Sequence, residues 1–338
     1  MKVIKIIISS FTKLFLSGSI QMAIPPEIKD NLRLPLIAAP MFLVSGPEMV
    51  IAACKAGIVG AFPTPNARTV DALDDWMRAI TTELAAARAA DPDRKIGPWA
   101  ANLVVHSSND RLPADMELVM KYRPPIVITA LGSPAAVVEA VQSYGGKVFA
   151  DVNSVAFARK AAATGVDGLV LVCSGAGGHT GQMAAFAFVA AVREFFDGMI
   201  VLAGSICDGG AIRATEVLGA DFAYMGTKFI AAKESLAQEE YRQMLVNSTY
   251  EDIVCTNAFT GAWANMLKPS IRQAGLDPDN LKPKDKIDFT DPQSESKAWK
   301  NIWSAGHGIN TVKKVEPLGE MVERLYQEYR EASRKPAF

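Results

Sequence analysis

Eight short, almost wholly apolar runs, spaced between residues 35 and 227 with helical stretches between them, leave this chain few architectures. The runs lie at 35–41, 59–64, 99–105, 125–131, 147–152, 168–174, 200–205 and 222–227. Their apolar character is continuous rather than alternating, which marks strands covered on both faces, as in a parallel sheet. The intervening segments, at 47–56, 70–90, 114–122, 135–144, 155–164, 183–196 and 209–218, are amphipathic or alanine-rich and read as helices. A quasi-repeat ties the two together: a helix ends at a glycine and a strand follows, as in AGIVGAF (56–62), YGGKVFADV (144–152), TGVDGLVLV (164–172) and LGADFAYMG (218–226). Glycine just past a helix end supplies the left-handed cap from which the next strand starts. Eight successive β-then-α units predict an α/β protein built as a (β/α)8 TIM barrel rather than an open doubly wound sheet.

The rest of the chain is arranged around that barrel. With 338 residues, 49% of them hydrophobic, there is ample material for one large core, and barrels of this kind commonly reach such a length as one domain. Residues 1–21 form an N-terminal extension. Lys2 and Lys5 with the apolar run 3–8 resemble a leader, but Ser9, Ser10, Thr12 and Lys13 interrupt it, and Met22 offers an alternative start. The barrel is expected over 22–235 and a mainly helical insertion after the eighth strand over 236–300, leaning across the barrel mouth. Residues 301–338 return to the barrel and end in a helix whose apolar stripe is Val315, Leu318, Met321, Val322 and Leu325.

Charge and cysteines narrow the partners. A net charge of −1, from 35 basic and 36 acidic residues, gives no basic excess for nucleic acid, and the N-terminal run is too short and polar to span a membrane. Cys54, Cys173, Cys207 and Cys255 lie far apart, with no metal-site spacing, so no metal is expected. Reduced thiols fit a cytoplasmic protein best. A homo-oligomer is left open.

Ligands of such a barrel bind where strands end and loops begin. The first strand ends in Ala38-Ala39-Pro40-Met41. Pro40 has no backbone N–H and belongs at a strand end, leaving backbone groups of Ala39 and Met41 to face a ligand, unless this is a plain terminus. Asn102, alone among apolar neighbours on the third strand, must be hydrogen-bonded, either to a ligand or to a neighbouring loop. The sixth strand runs into Ser174-Gly175-Ala176-Gly177-Gly178-His179-Thr180-Gly181, where four glycines allow close backbone approach. His179 on that loop is the candidate acid, base or hydrogen-bond donor among three histidines, the others being His106 and His307. GAGGHTG lacks the glycine spacing of a dinucleotide fingerprint, and its first downstream acid is Glu194, inside a helix. The seventh strand ends in Ala203-Gly204-Ser205-Ile206 with Asp208-Gly209-Gly210 opening a helix, and the eighth ends in Met225-Gly226-Thr227. Glycines at both strand ends next to a helix N-terminus describe a phosphate site, held by backbone N–H groups and the helix dipole. Lys228 and Lys233, which follow, read as solvated faces.

The ordered set AAPM (38–41), AAN (100–102), GAGGHTG (175–181), AGSICDGG (203–210) and MGTKF (225–229) resembles the nitronate monooxygenase family, formerly called 2-nitropropane dioxygenases, from about residue 34 onward. The resemblance implies an FMN-binding barrel. Ala39, Pro40 and Met41 would line the isoalloxazine ring and Asn102 would bind the flavin. Gly177 and Gly178 would lie against it. Gly204, with the adjoining Ser205, and Met225, Gly226 and Thr227 would hold the phosphate, and His179 matches the family's active-site histidine. One departure stands out. Gly175 replaces a Glu that is common in the family loop, and Val172 replaces a Gln on the preceding strand.

The expected activity is oxidation of an alkyl nitronate such as propionate 3-nitronate, with O2 as electron acceptor. His179 would orient the nitro group or remove an α-proton from a neutral nitroalkane. Two other readings stand beside it: an NAD(P)H-dependent FMN reductase of quinones or enoyl thioesters, and a barrel that binds a phosphorylated metabolite without redox turnover. The pocket walls are expected to include Phe259, Trp263 and Trp303.

Overall fold

A computed structural model of the protein describes residues 24–284 and 301–335. The extension expected over 1–21 lies outside the described residues, as do 285–300 of the insertion. All eight apolar runs form strands: β1 (Leu36–Ala38), β2 (Val59–Pro63), β3 (Trp99–Val104), β4 (Ile126–Ala130), β5 (Lys147–Val152), β6 (Gly168–Val172), then, after the short β7 (Gly178–His179), β8 (Met199–Ala203) and β9 (Phe222–Met225). They close into a parallel barrel in chain order, and β1 seals it against β9, with Leu36 opposite Ala223 and Ala38 opposite Met225.

Helices follow the strands much as the sequence predicts, among them Pro47–Lys55, Val70–Ala90, Ala185–Arg193 and Gly209–Val217. Thr69, Ser154 and Asp208 cap three of them, each side chain accepting the backbone N–H three residues on. The four glycines of the quasi-repeat, Gly57, Gly145, Gly165 and Gly219, all sit at positive φ where a helix stops.

Strand alternation sorts the core. Ile37, Val59, Ala100, Ile128, Phe149, Val170, Val201 and Phe222 fill the barrel interior, with Phe149 and Phe222 meeting at 6.3 Å between ring centroids. Ile28 and Leu32, preceding β1, join this cluster. Side chains one position along, such as Val148, Ala150 and Leu171, pack outward under the helices. Two residues beyond Phe149 and Phe222 on the same faces come Asp151 and Tyr224, so polar groups stand in the layer nearest the C-terminal ends of the strands.

The segment after β9 is less helical than the sequence suggests. Helices Glu239–Asn247 and Lys268–Gln273 flank two antiparallel strands, β10 (Ile253–Thr256) and β11 (Ala264–Leu267). β11 also pairs with β7, Ala264 opposite His179, making a three-stranded sheet beside the barrel mouth. The final helix, Leu318–Ser333, buries Leu318, Met321, Val322 and Leu325 and packs on Gly209–Val217. Gly209 permits that contact: a Cβ there would lie 2.2 Å from the Tyr329 nitrogen and 2.4 Å from the Leu325 oxygen. Among the described residues no helix is long and apolar enough to cross a membrane, and no group of His, Cys, Asp and Glu is arranged to hold a metal.

Candidate functional site

One large cavity, about 2260 Å³, opens at the C-terminal ends of the strands. That exceeds the ~300–1,000 Å³ of an ordinary ligand pocket, leaving space for a large cofactor and a second molecule. Of the site residues expected from sequence, Ala39, Pro40, Met41, Asn102, Gly177, Gly178, His179, Gly204, Ser205, Gly226 and Thr227 all line it.

Met225 does not. Tyr224 points inward, so its neighbour Met225 points outward and is buried between barrel and helices. Its carbonyl accepts the Ala39 N–H at 3.0 Å. The backbone of the first strand end is not free either. Ser45 Oγ accepts the Met41 N–H at 3.0 Å and donates to the Ala39 carbonyl at 3.3 Å, while Asn66 Nδ2 donates to the Met41 carbonyl at 2.9 Å. These buried side chains, Ser45 from the adjoining turn and Asn66 from 25 residues on, satisfy the groups that Pro40 was expected to leave for a ligand, so Ala39, Pro40 and Met41 offer the cavity mainly apolar surface. Asn102 is buried, with Nδ2 donating to the Ile128 carbonyl at 3.2 Å.

The glycine loop is gripped by the inserted sheet. Thr180 donates its N–H to the Trp263 carbonyl at 3.0 Å, and Asn265 Nδ2 donates to the Ala176 carbonyl at 2.7 Å. His179 Nε2 lies 3.2 Å from Thr260 Oγ1. Burial pushes the His179 imidazole down to about 4, so it is neutral near pH 7. Trp263 and Trp303 line the cavity as expected, and Trp303 stacks on Tyr241 at 5.0 Å. Phe259 instead packs against Ala264, Met266, Ile271 and Ile302, the apolar side of the inserted sheet.

Gly175 has a steric reason. At φ +85°, a Cβ there would stand 2.3 Å from Ser205 Oγ and 2.8 Å from His307 Nδ1. Any side chain at this position would run into Ser205 and His307. His307 also donates its backbone N–H to the Gly175 carbonyl at 3.0 Å and meets the Tyr250 ring edge-on at 4.8 Å. No pattern around His307 in the sequence announces this, because it arrives from 132 positions away through the C-terminal return.

The turns after β8 and β9 differ in detail from the expected arrangement. Gly204 (φ +117°) and Ser205 (φ +59°) form a left-handed turn in the cavity wall, a conformation Ser adopts only under constraint. The N-terminus of helix Gly209–Val217 is occupied by the chain's own carboxylates: Asp208 Oδ1 takes the Ala211 N–H at 2.7 Å and Glu328 Oε2 takes the Gly209 N–H at 2.8 Å. That helix end is thus not open to a phosphate as the sequence suggested. Lys228, expected as a solvated residue, is buried, lines the cavity beside Gly226 and Thr227, and donates to the Thr311 carbonyl at 3.3 Å. Burial pulls its ammonium below the usual range, with Glu328 opposing that shift.

Two buried polar atoms on the cavity floor, Asp151 Oδ1 and Tyr224 Oη, have no hydrogen-bond partner among the described residues. Burial raises the Asp151 carboxyl to about 7.

Known proteins resemble this chain in sequence and in fold. The family model for nitronate monooxygenase matches residues 27–328. A nitronate monooxygenase of Paraburkholderia phytofirmans is 28% identical over 285 residues, 74% of this chain and 77% of that protein. One from Neurospora crassa is 25% identical, covering 89% and 90%. Among solved structures, FabK of Thermotoga maritima superposes with a TM-score of 0.74 at 21% identity, over 92% of this chain and 98% of that one. A nitroalkane oxidase of Streptomyces ansochromogenes does so at 0.72 and 24% identity, over 90% and 98%. Both likenesses establish the barrel fold.

Proposed function

Because the chain belongs to the nitronate monooxygenase family of flavin-dependent oxidoreductases, we propose that it binds FMN and oxidises alkyl nitronates, propionate 3-nitronate among them, with O2. The observation that carries this reading is that one cavity joins a left-handed anion turn and a buried lysine to a neutral histidine on a glycine-opened loop.

The residues present suit FMN. Gly204, Ser205, Gly226, Thr227 and Lys228 would take its phosphate through backbone N–H groups and one charge. Ala39, Pro40 and Met41 would offer apolar surface to the ring, Asn102 an amide edge, and Gly177 and Gly178 a wall without side chains. Bound there, FMN would accept electrons from the substrate and pass them to O2.

The protein's share is position and electrostatics. A nitronate is already a carbanion equivalent, so its oxidation needs no strong base. Neutral His179 can donate a hydrogen bond to a nitro oxygen without itself losing a proton, and its seat against Thr260 fixes the ring. Trp263 and Trp303 add aromatic surface to the cavity wall.

The test is the visible spectrum of the purified protein, recorded without oxygen before and after millimolar propionate 3-nitronate. A flavin spectrum that bleaches supports the reading. A flavin that bleaches with NADH or NADPH and not with nitronate would replace it with a reductase. A protein that takes up no FMN would leave only a phosphate-binding barrel.

A further inference from the structure

We propose that Asn66 is a positioning residue for the flavin: it holds the loop after β1 in a strained conformation that turns Met41 and Phe42 to the cavity. This rests on the reading above, since it names the residue that prepares one wall for FMN.

The loop has an unusual backbone. Leu43 sits at φ +61°. A leucine resists this left-handed conformation because its Cβ crowds the following carbonyl, and such a residue persists only where its surroundings impose it. Here one buried carboxamide does so. Asn66 Oδ1 accepts the Leu43 N–H at 2.8 Å, while Asn66 Nδ2 donates to the Met41 carbonyl at 2.9 Å and the Ser45 carbonyl at 2.8 Å. Both N–H groups and the oxygen of the amide are thus engaged, on backbone before, at and after the strained residue. Burial shields these bonds from exchange with water.

The loop they shape is cavity wall. Met41, Phe42 and Leu43 all line it. Met41 Sδ would lie 3.3 Å from a Cβ placed on Gly226, so its side chain rests against the turn after β9. The Phe42 ring lies under the Arg68 guanidinium, 5.6 Å from centroid to carbon.

Asn66 is itself held from behind. It ends the 3-10 turn Thr64–Asn66 that follows β2. Arg111 donates to the Thr64 carbonyl at 2.9 Å and the Ala67 carbonyl at 2.6 Å. Its Nε also donates to Oδ1 of buried Asp115 at 2.7 Å, and the Thr64 hydroxyl donates to Asp115 Oδ2 at 2.7 Å. A fully satisfied buried network of this kind rigidifies the turn it grips. A loop that merely joined β1 to helix Pro47–Lys55 would be more stable with Leu43 at negative φ. What the strained form achieves is the presentation of Met41 and Phe42. Without Asn66 the loop relaxes, and FMN must restore the strain as it binds.

The experiment is fluorescence titration of the flavin-free protein with FMN. Asn66→Ala should bind FMN ~5–30-fold more weakly, the cost of returning one leucine to the left-handed region. Adding Leu43→Gly to that variant should recover most of the loss, because glycine reaches positive φ without strain. A residue that only stabilised the fold would lower the melting temperature and leave the Kd of the folded protein unchanged. An unchanged Kd would therefore overturn the proposal, and so would a double variant that binds no better than Asn66→Ala. Amide hydrogen exchange in the flavin-free wild type needs no variant to fold. The Leu43 N–H should exchange slowly, and exchange at the rate of an open loop would overturn the role of Asn66. A wild type that takes up no FMN, with Leu43 still protected, would instead remove the functional reading on which the proposal rests.

Discussion

Replacing Asp151 by Asn should change how stability depends on pH, by an amount that follows from its burial. The carboxyl is displaced from 3.8 to about 7 by desolvation alone. At about 1.4 kcal/mol per pH unit, ionising it inside the barrel costs about 4 kcal/mol. Below pH ~4 the group is protonated in folded and unfolded chains alike and costs nothing. Between there and about 7 the unfolded chain ionises while the folded one keeps its proton, so stability drains away as pH rises. Above 7 the slope vanishes and the full penalty remains. Asn cannot ionise and lacks this slope. At ~2.1 cal/mol/K of unfolding entropy per residue, 338 residues give ~0.7 kcal/mol/K, and 4 kcal/mol becomes ~6 °C. Calorimetry of the flavin-free wild type and variant, scanned at each pH from 4 to 8, should show the wild type losing about 6 °C relative to the variant across that range. Contributions of other titrating groups cancel in the difference, and Tyr224 stays neutral throughout. A difference that is flat with pH would refute the buried, partnerless placement of the carboxyl.

Other outcomes follow from the same geometry. His179→Gln should show the opposite sign: the histidine's depressed affinity means that wild-type stability, relative to the variant, is lost as pH falls from 6.5 towards 4, by at most about 3 kcal/mol. A pH-independent difference in urea unfolding would show the imidazole to be solvated. Lys228→Met should weaken FMN binding by ~10–100-fold, the worth of one charged hydrogen bond to phosphate. Fluorescence titration giving an unchanged Kd would remove Lys228 from the phosphate end. Gly209→Ala should lose ~1–3 kcal/mol by driving the last helix off the barrel, because its Cβ would meet Tyr329 and Leu325 backbone. Gly210→Ala, whose Cβ meets only Asp208 Oδ1 at 3.3 Å, is the matched control and should melt near the wild type.

What could be read in the sequence is what depends on local chemistry. Eight apolar runs with helices between them, four of those helices ending at a glycine, specify strands covered on both sides, and the chirality of the connections then closes them into a barrel. Because such a barrel gathers its loops at one end, naming the strand ends already named part of the cavity lining: Ala39 to Met41, Asn102, the 177–179 loop, Gly204, Ser205, Gly226 and Thr227. Met225 was misplaced by a single position, and strand alternation turned it outward in favour of Tyr224. Asp151 carried a weak signal of its own, an acid ending an apolar strand just as Asn102 interrupts one.

The rest belongs to contacts between distant segments. Asn66 claims the Met41 carbonyl from 25 residues away. Glu328 claims a helix end that its own segment leaves open. Residues 253–267 supply two strands, of which β11 pairs with Gly178–His179, and His179 reaches Thr260 from 81 residues away. Sequence thus determined the barrel and the rim on which the chemistry sits. Whether a polar group on that rim faces a ligand or a neighbouring residue was decided by the folded chain, because hydrogen bonding and desolvation depend on what packs within a few ångströms, and those neighbours lie tens to hundreds of residues away.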